Sequence, residues 1–286
     1  MNGRSLFTVL VVLAVTTTAV PVAGSHAPSA PAADATERHP PPGPAHTGGA
    51  VQAAEPPGVS GGQLTNATAL VAAHTDAVVA AGFVSTTNAS GTVLRNGIRL
   101  DVESEQETTV APDRSTYRRT RTTVAGPGRR VVDAWADERV EYQRRTLESG
   151  TVRFDSREPR PSRELAGGLV LEPLLRGAEF TVETVTETPN GTRIVLVADE
   201  VADEAAIRES LPAEVGNVSG FEARAVVDPD GRIHSLNATT DYELRGRTES
   251  SSLTYRLRET GTTTVPEPTW LDSAREAANA AGGSRG

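Results

Sequence analysis

The chain has 286 residues, 37% of them hydrophobic, with 37 acidic residues against 28 basic ones and a formal charge of −9. It has no cysteine, which excludes disulfides and thiolate metal sites, and its net acidity argues against a nucleic-acid partner. Every basic residue is arginine; an acidic, lysine-free chain stays hydrated at high salt and equally fits a GC-rich genome, two routes to a halophilic archaeon that composition does not separate.

Leu6–Val15 (LFTVLVVLAV) is an uncharged apolar run behind Arg4, followed by small residues up to Gly24. That order reads as a signal peptide over residues 1–24, cut between Gly24 and Ser25, with Val22 and Gly24 in the small-residue pockets of the peptidase. The run is shorter than the about 20 apolar residues of a membrane span, and the alternative is a retained signal anchor. Residues 25–62, with HPPPGPAH at their centre, read as a Pro/Ala/Gly-rich tether. His26, His39 and His46 fall there and have no fixed geometry with which to hold a metal.

The folded domain is expected over 63–265. Leu70, His74, Val78 and Ala81 recur at helical spacing before Gly82, predicting an amphipathic helix with His74 buried and hydrogen-bonded. The period then changes to two. Turn signals at Asn96-Gly97, Pro112-Asp113, Gly126-Pro127-Gly128, Asp137-Glu138 and Ser149-Gly150 divide an antiparallel meander of about six strands. PSRELAGGLVLEPLLRGA (161–178) returns to helical spacing at Leu165, Leu169 and Leu174. A hairpin turns at Pro189-Asn190-Gly191, a short helix opens at Asp203, and another hairpin turns at Asp228-Pro229-Asp230-Gly231. A last strand precedes the 266–286 tail, which carries Trp270 and a short Ala-rich helix. These elements predict an α+β fold: one strongly curved antiparallel sheet of about eleven strands, a half-barrel wrapped around two or three helices.

The opening helix, the meander, LEPLL, TPNGTRIVLV, VVDPDGRIHSL and the closing VPEPTWLDSA resemble haloarchaeal lipoproteins of unknown function, and the architecture is similar to the LolA/LprG-like lipoprotein carriers. The resemblance spans roughly residues 63 to 275. It implies a half-barrel whose concave apolar face holds acyl chains beneath helices. Relatives carry a lipid-accepting cysteine after a VAG-like segment; here that position is Ser25, whose hydroxyl does not replace the thiol. The resemblance therefore implies membrane proximity without a lipid anchor.

No phosphate loop, paired zinc histidines or nucleophile elbow is present, so no catalytic residue, metal ligand or cofactor is assigned and the protein is expected not to be an enzyme. A hydrolytic triad would have to rest on His74 or on His234, which shares its strand parity with Leu236 and Ala238. Asp133 and Asp137 form one of many carboxylate pairs. Five of the eight asparagines, Asn66, Asn88, Asn190, Asn217 and Asn237, open Asn-x-Ser/Thr sequons and are candidate glycosylation sites. Arginines cluster on neighbouring strands, and alternation separates Arg119 and Arg121 from Arg118, and Arg144 from Arg145. Arg119, Arg121 and Arg144 are a candidate anion patch; the other reading pairs the arginines with Glu103, Glu105, Asp133, Asp137 and Glu141 on a solvated face. Two functions are weighed. One is an exported, non-enzymatic envelope protein holding a lipid or apolar ligand in its concave face. The other is a cell-surface domain with a filled interior and an envelope-protein partner.

Overall fold

The computed structural model describes residues 55–261 and 263–283. The signal peptide, its cleavage point at Gly24 and Ser25, the three N-terminal histidines and the tether as far as residue 54 lie outside them.

Thirteen strands form one open sheet in which every neighbour pair is antiparallel. The expected curved half-barrel is the architecture found, with two more strands than the sequence predicts. Those two are the two-residue β1 (Val59–Ser60) and β2 (Gln63–Leu64), within and beside the stretch read as tether. They are too short for any alternation to register, and β2 is held where Leu64 N–H donates to the Phe180 carbonyl and Val182 N–H to the Gly62 carbonyl, with Gln63 opposite Thr181. The helix α1 (Ala67–Ala81) follows. The six-strand meander is β3 (Phe83–Arg95), β4 (Ile98–Val110), β5 (Tyr117–Ala125), β6 (Gly128–Ala136), β7 (Glu141–Thr146) and β8 (Val152–Arg157). Two short helices, α2 (Ser162–Leu165) and α3 (Gly168–Arg176), lead to the hairpin β9 (Thr181–Thr188) and β10 (Gly191–Ala198). Then come α4 (Glu204–Arg208), β11 (Val218–Val227), β12 (Ile233–Glu243), β13 (Thr248–Thr260) and α5 (Leu271–Gly283). The two meanders join at the centre, where β13 pairs with β3.

One face of the sheet carries α1 to α4. Leu70 and Val71 of α1, Leu171, Leu174 and Leu175 of α3, and Ile207 of α4 share a core with Leu196, Leu236, Leu253 and Tyr255 of the sheet. Burial of this apolar surface is the main stabilising term, at about 25 cal/mol per Å². Tyr242 and Tyr255 of this core, and Tyr117 of the smaller cluster under Val78, are fully buried, each with its hydroxyl hydrogen-bonded. On the opposite, outer face, α5 covers Trp135 with Trp270, Leu271 and Ala274, beside Tyr142 and Phe154 of β7 and β8.

Capping follows the sequence signals. The Asn66 side chain accepts from the Ala69 amide at the start of α1, and Asp203 accepts from the Ala206 amide at the start of α4. Gly82 ends α1 at φ 75° and ψ 151°, a conformation side-chain-bearing residues avoid, and a Cβ there would stand 2.8 Å from the Pro112 nitrogen. Gly82→Ala is therefore expected to cost about 2–3 kcal/mol in urea unfolding, whereas a loss below about 0.5 kcal/mol would contradict the packing of α1 against residues 111–114.

Candidate functional site

Across β3 to β7 the register builds parallel rows on the helix-covered face. One row runs Phe83, Val110, Tyr117, Ala136, Glu141; the next Ser85, Thr108, Arg119, Ala134, Gln143; the next Thr87, Gln106, Arg121, Val132, Arg145. Polarity thus rises row by row away from the core. The first row packs under Val78, Leu165 and Ala166, and the third is left open beneath α2 and α3.

That opening is a cavity of about 240 Å³ between the sheet and the α2–α3 segment. Six arginines line it, Arg119, Arg121, Arg130, Arg145, Arg157 and Arg160, with Glu164 the one carboxylate among the lining residues. Ala89, Val132, Leu169 and Val170 supply an apolar side. Several of the arginines are held in place by a mixture of neutral and carboxylate acceptors. Arg121 Nε donates to Ser104 Oγ at 3.0 Å, and Arg145 Nη2 donates to Gln143 Oε1 at 3.1 Å and to Asp155 Oδ2 at 3.0 Å. Arg119 Nη1 donates to Glu164 Oε1 at 3.4 Å, and Arg160 pairs with the same oxygen.

Behind the cavity, Glu141 is fully buried. It accepts from Tyr117 Oη at 2.5 Å, Arg157 Nε at 2.8 Å and Gln143 Nε2, and lies 3.0 Å from Arg160 Nε. Burial, with the Glu141 charge beside it, pushes the Tyr117 hydroxyl far up, so it stays a donor. Arg119 is lowered to about 10: burial outweighs the help of Glu141, and the Arg157 and Arg121 charges add to the fall. Arg121 is lowered in the same way, by burial and then by Arg130.

The arginines read from the sequence divide as alternation requires. Arg119 and Arg121 meet in the cavity, and the structure brings Arg145 to them. Arg144 is on the outer face, its Nη2 3.5 Å from Asp133 Oδ2 and its guanidinium over the Trp270 ring. Arg118 joins it there with two bonds to Asp133. Arg144 therefore leaves the patch that the sequence grouped with Arg119 and Arg121, and carboxylates pair with arginines on both faces: Asp133 with Arg118 and Arg144 outside, and Glu164, Glu141 and Asp155 with Arg119, Arg160, Arg157 and Arg145 inside. Arg157 ends β8, Glu164 lies on the single-turn α2 and Arg160 falls in the loop between them, so no one periodicity links the three. Arg145 shares a face with Arg121 through Val132, which shows only once the register of β5, β6 and β7 is fixed. Leu169, expected on the buried stripe, is 44% exposed at the cavity. Gly167, in the left-handed region at φ 85°, divides α2 from α3 and re-phases the stripe.

His74 is buried: its Nδ1 accepts from the Ile233 amide at 3.0 Å, and Nε2 lies 3.2 Å from the Ala166 carbonyl and 3.1 Å from Tyr255 Oη. His234 does not face inward with Leu236 and Ala238. A register shift between Val226 and Val227 pairs them with Ser235 and Ile233, leaving His234 as the extra residue, partly exposed and 3.1 Å from Asp228. Neither imidazole lines the cavity. Among the described residues no group of His, Cys, Asp and Glu is arranged to hold a metal ion, and no helix is long and apolar enough to cross a membrane. Asn66, Asn88, Asn190, Asn217 and Asn237 are all exposed. Asn88 and Asn237 lie in one cross-strand row on the outer face, flanking Thr254.

No curated protein sequence matches the chain. Among solved structures it is similar to a DUF1329 family protein from Desulfovibrio piger ATCC 29098, at 9% identity and a TM-score of 0.25, over 70% of this chain and 94% of that one. It is also similar to a putative outer membrane lipoprotein-sorting protein domain from Vibrio parahaemolyticus, at 10% identity and a TM-score of 0.25, over 73% and 98% of the two chains. At the level of sequence, one family model matches residues 6–274, so the N-terminal apolar run, the sheet and the Trp270 tail fall within one relationship, and the chain belongs to the family of unknown function DUF7537.

Proposed function

We propose that this is an exported, non-enzymatic envelope protein that binds an amphiphilic ligand in the cavity between β3–β7 and the α2–α3 segment. The observation that carries this reading is the uneven filling of the helix-covered face. Over β10 to β13, the leucines of α1 and α3 with Ile207 of α4 pack the space solid. Over β4 to β7 the same face stays open, arginine-lined on one side and apolar on the other. Pockets that mix an apolar wall with a few convergent polar groups are the usual form of a small-ligand site. The N-terminal apolar run and the five exposed sequons support an extracytoplasmic address. A wholly filled scaffold fits only the β10–β13 half.

Protein purified without detergent and examined by native mass spectrometry is expected to carry an extractable amphiphile, or to take up a dodecyl-chain probe at one site per chain. Protein that is empty and refuses every such probe would overturn the reading.

A further inference from the structure

We propose that the polar end of this ligand is a phosphate or sulfate ester seated on Arg119, Arg121 and Arg145, and that Glu164 is the internal carboxylate it displaces. The inference rests on the cavity being the ligand site and adds the chemistry that it selects.

Arg121 and Arg145 occupy the same cross-strand row on either side of Val132, and Arg119 stands one pleat away on the same face. Neighbouring strands are about 4.8 Å apart, so the two outer guanidinium stems start about 10 Å apart, and their lengths let them meet over Val132. A carboxylate offers two oxygens, and one guanidinium satisfies both in a bidentate pair. A tetrahedral ester offers three terminal oxygens, which is the acceptor count that suits three converging guanidinium groups. Gln106 and Gln143 line the same rows, their amide nitrogens donating to Thr108 and Glu141.

The charge balance of the cavity agrees. Six lining arginines meet Glu164 in the lining and Glu141 and Asp155 beside it, which pair with Arg157 and Arg160 and with Arg145, so three carboxylates leave the cluster positive in a chain of net charge −9. Burial lowers both Arg119 and Arg121, which stand one pleat apart on β5, and an anion between them would offset that cost. Glu164 already occupies part of that role, shared between Arg119 and Arg160. It stands on α2, whose Leu165 packs with Val78 of α1, so the carboxylate withdraws by rotation of its own side chain while α2 stays in place. An apolar cavity of about 150 Å³ holds a benzene ring. The 240 Å³ here therefore admits a head group with its first few carbons, and the rest of a chain would leave past the exposed Leu169.

Calorimetric titration of the folded protein with dodecyl phosphate, dodecanoate, dodecanol and inorganic phosphate, each below its micellar concentration, tests this. Dodecyl phosphate is expected to bind at least tenfold tighter than dodecanoate or dodecanol. Arg121→Gln and Arg145→Gln should each weaken dodecyl phosphate about tenfold to a hundredfold, the usual worth of a hydrogen bond to a charged group, and leave dodecanol unchanged. Glu164→Gln should tighten dodecyl phosphate severalfold. Arg145 is partly exposed, and the melting curve of its variant confirms folding if Arg121→Gln disturbs it. Equal binding of all dodecyl probes, indifferent to the arginine variants, would overturn the inference and leave the ligand site standing. Binding of inorganic phosphate alone, sensitive to the arginines, would keep the oxyanion site and overturn the amphiphile. Failure of every probe would overturn both. Weaker dodecyl phosphate binding to Glu164→Gln would remove the displaced-carboxylate step.

Discussion

Replacing Asp133 with alanine is expected to cost about 3 kcal/mol and to release the C-terminal segment from the outer face of the sheet. Asp133 is 2% exposed on β6 and is the one side chain that ties three elements together there. Arg118 of β5 reaches it through Nε at 3.0 Å and Nη2 at 2.9 Å, Arg144 of β7 at 3.5 Å, and Trp270 donates Nε1–H at 2.8 Å. Removing one partner from a buried charge network commonly costs about 3–5 kcal/mol, because the remaining charges lose their compensation. Here Arg118 and Arg144 are 38% and 36% exposed and can turn to water, which puts the loss at the lower end. Trp270 Nε1 has no such escape, being buried against Phe154 and Leu271. For about 200 folded residues, about 3 kcal/mol lowers Tm by about 6–12 °C. Differential scanning calorimetry measures it, and trypsin cleavage after Arg275 should become faster as α5 detaches. Trp270→Phe, which keeps the ring and loses only the N–H, should show about half the effect. An Asp133→Ala protein with unchanged Tm and unchanged cleavage would mean that α5 is not docked through this carboxylate.

The same residues show how far the sequence could be read. Alternation was enough to separate Arg118 from Arg119 and Arg144 from Arg145, because a strand has period two and each of these pairs lies within an unbroken strand. It was not enough to group them correctly, since Arg144 belongs with Asp133 outside and Arg145 with Arg121 inside. Grouping needs register, and register is fixed by turns whose lengths one sequence states only approximately. The same gap misplaced His234, where one extra residue opposite Val226 and Val227 reverses the parity that Leu236 and Ala238 suggested. Helix starts were legible for a different reason: Asn66 and Asp203 cap locally, through amides three residues on, and need no tertiary partner. Glu164 and Arg160 had no such local signal. Their role arises only when the 157–164 stretch is laid across the mouth of the cavity.

Stability is expected to fall by about 3 kcal/mol as pH drops from 6.5 to about 4, with His74 as the cause. Its imidazole is completely buried between α1, α2, β12 and β13, with Nδ1 taken by the Ile233 amide and Nε2 directed at the Ala166 carbonyl and Tyr255. Burial lowers its pKa to about 4, and the repulsion of His234 and Arg232 opposes the help of the Ala166 carbonyl and Asp228. In the unfolded chain the same group titrates near 6.5. Between those values the unfolded state binds a proton that the folded state refuses, so stability rises with pH across this window. The contribution is complete above 6.5 and is lost as pH falls toward 4. Most carboxylates titrate near or below 4, so the upper part of the window reports His74 with little interference. Urea midpoints at pH 7, 6, 5.5 and 5 should fall steadily for the native sequence. His74→Gln, which keeps a polar group and has no proton to gain, should be less stable at pH 7 yet lose less on acidification. A native protein whose urea midpoint is flat from pH 7 to 5 would show that this imidazole is reached by water, and that α1 does not seal the core over Tyr255 and Ile233.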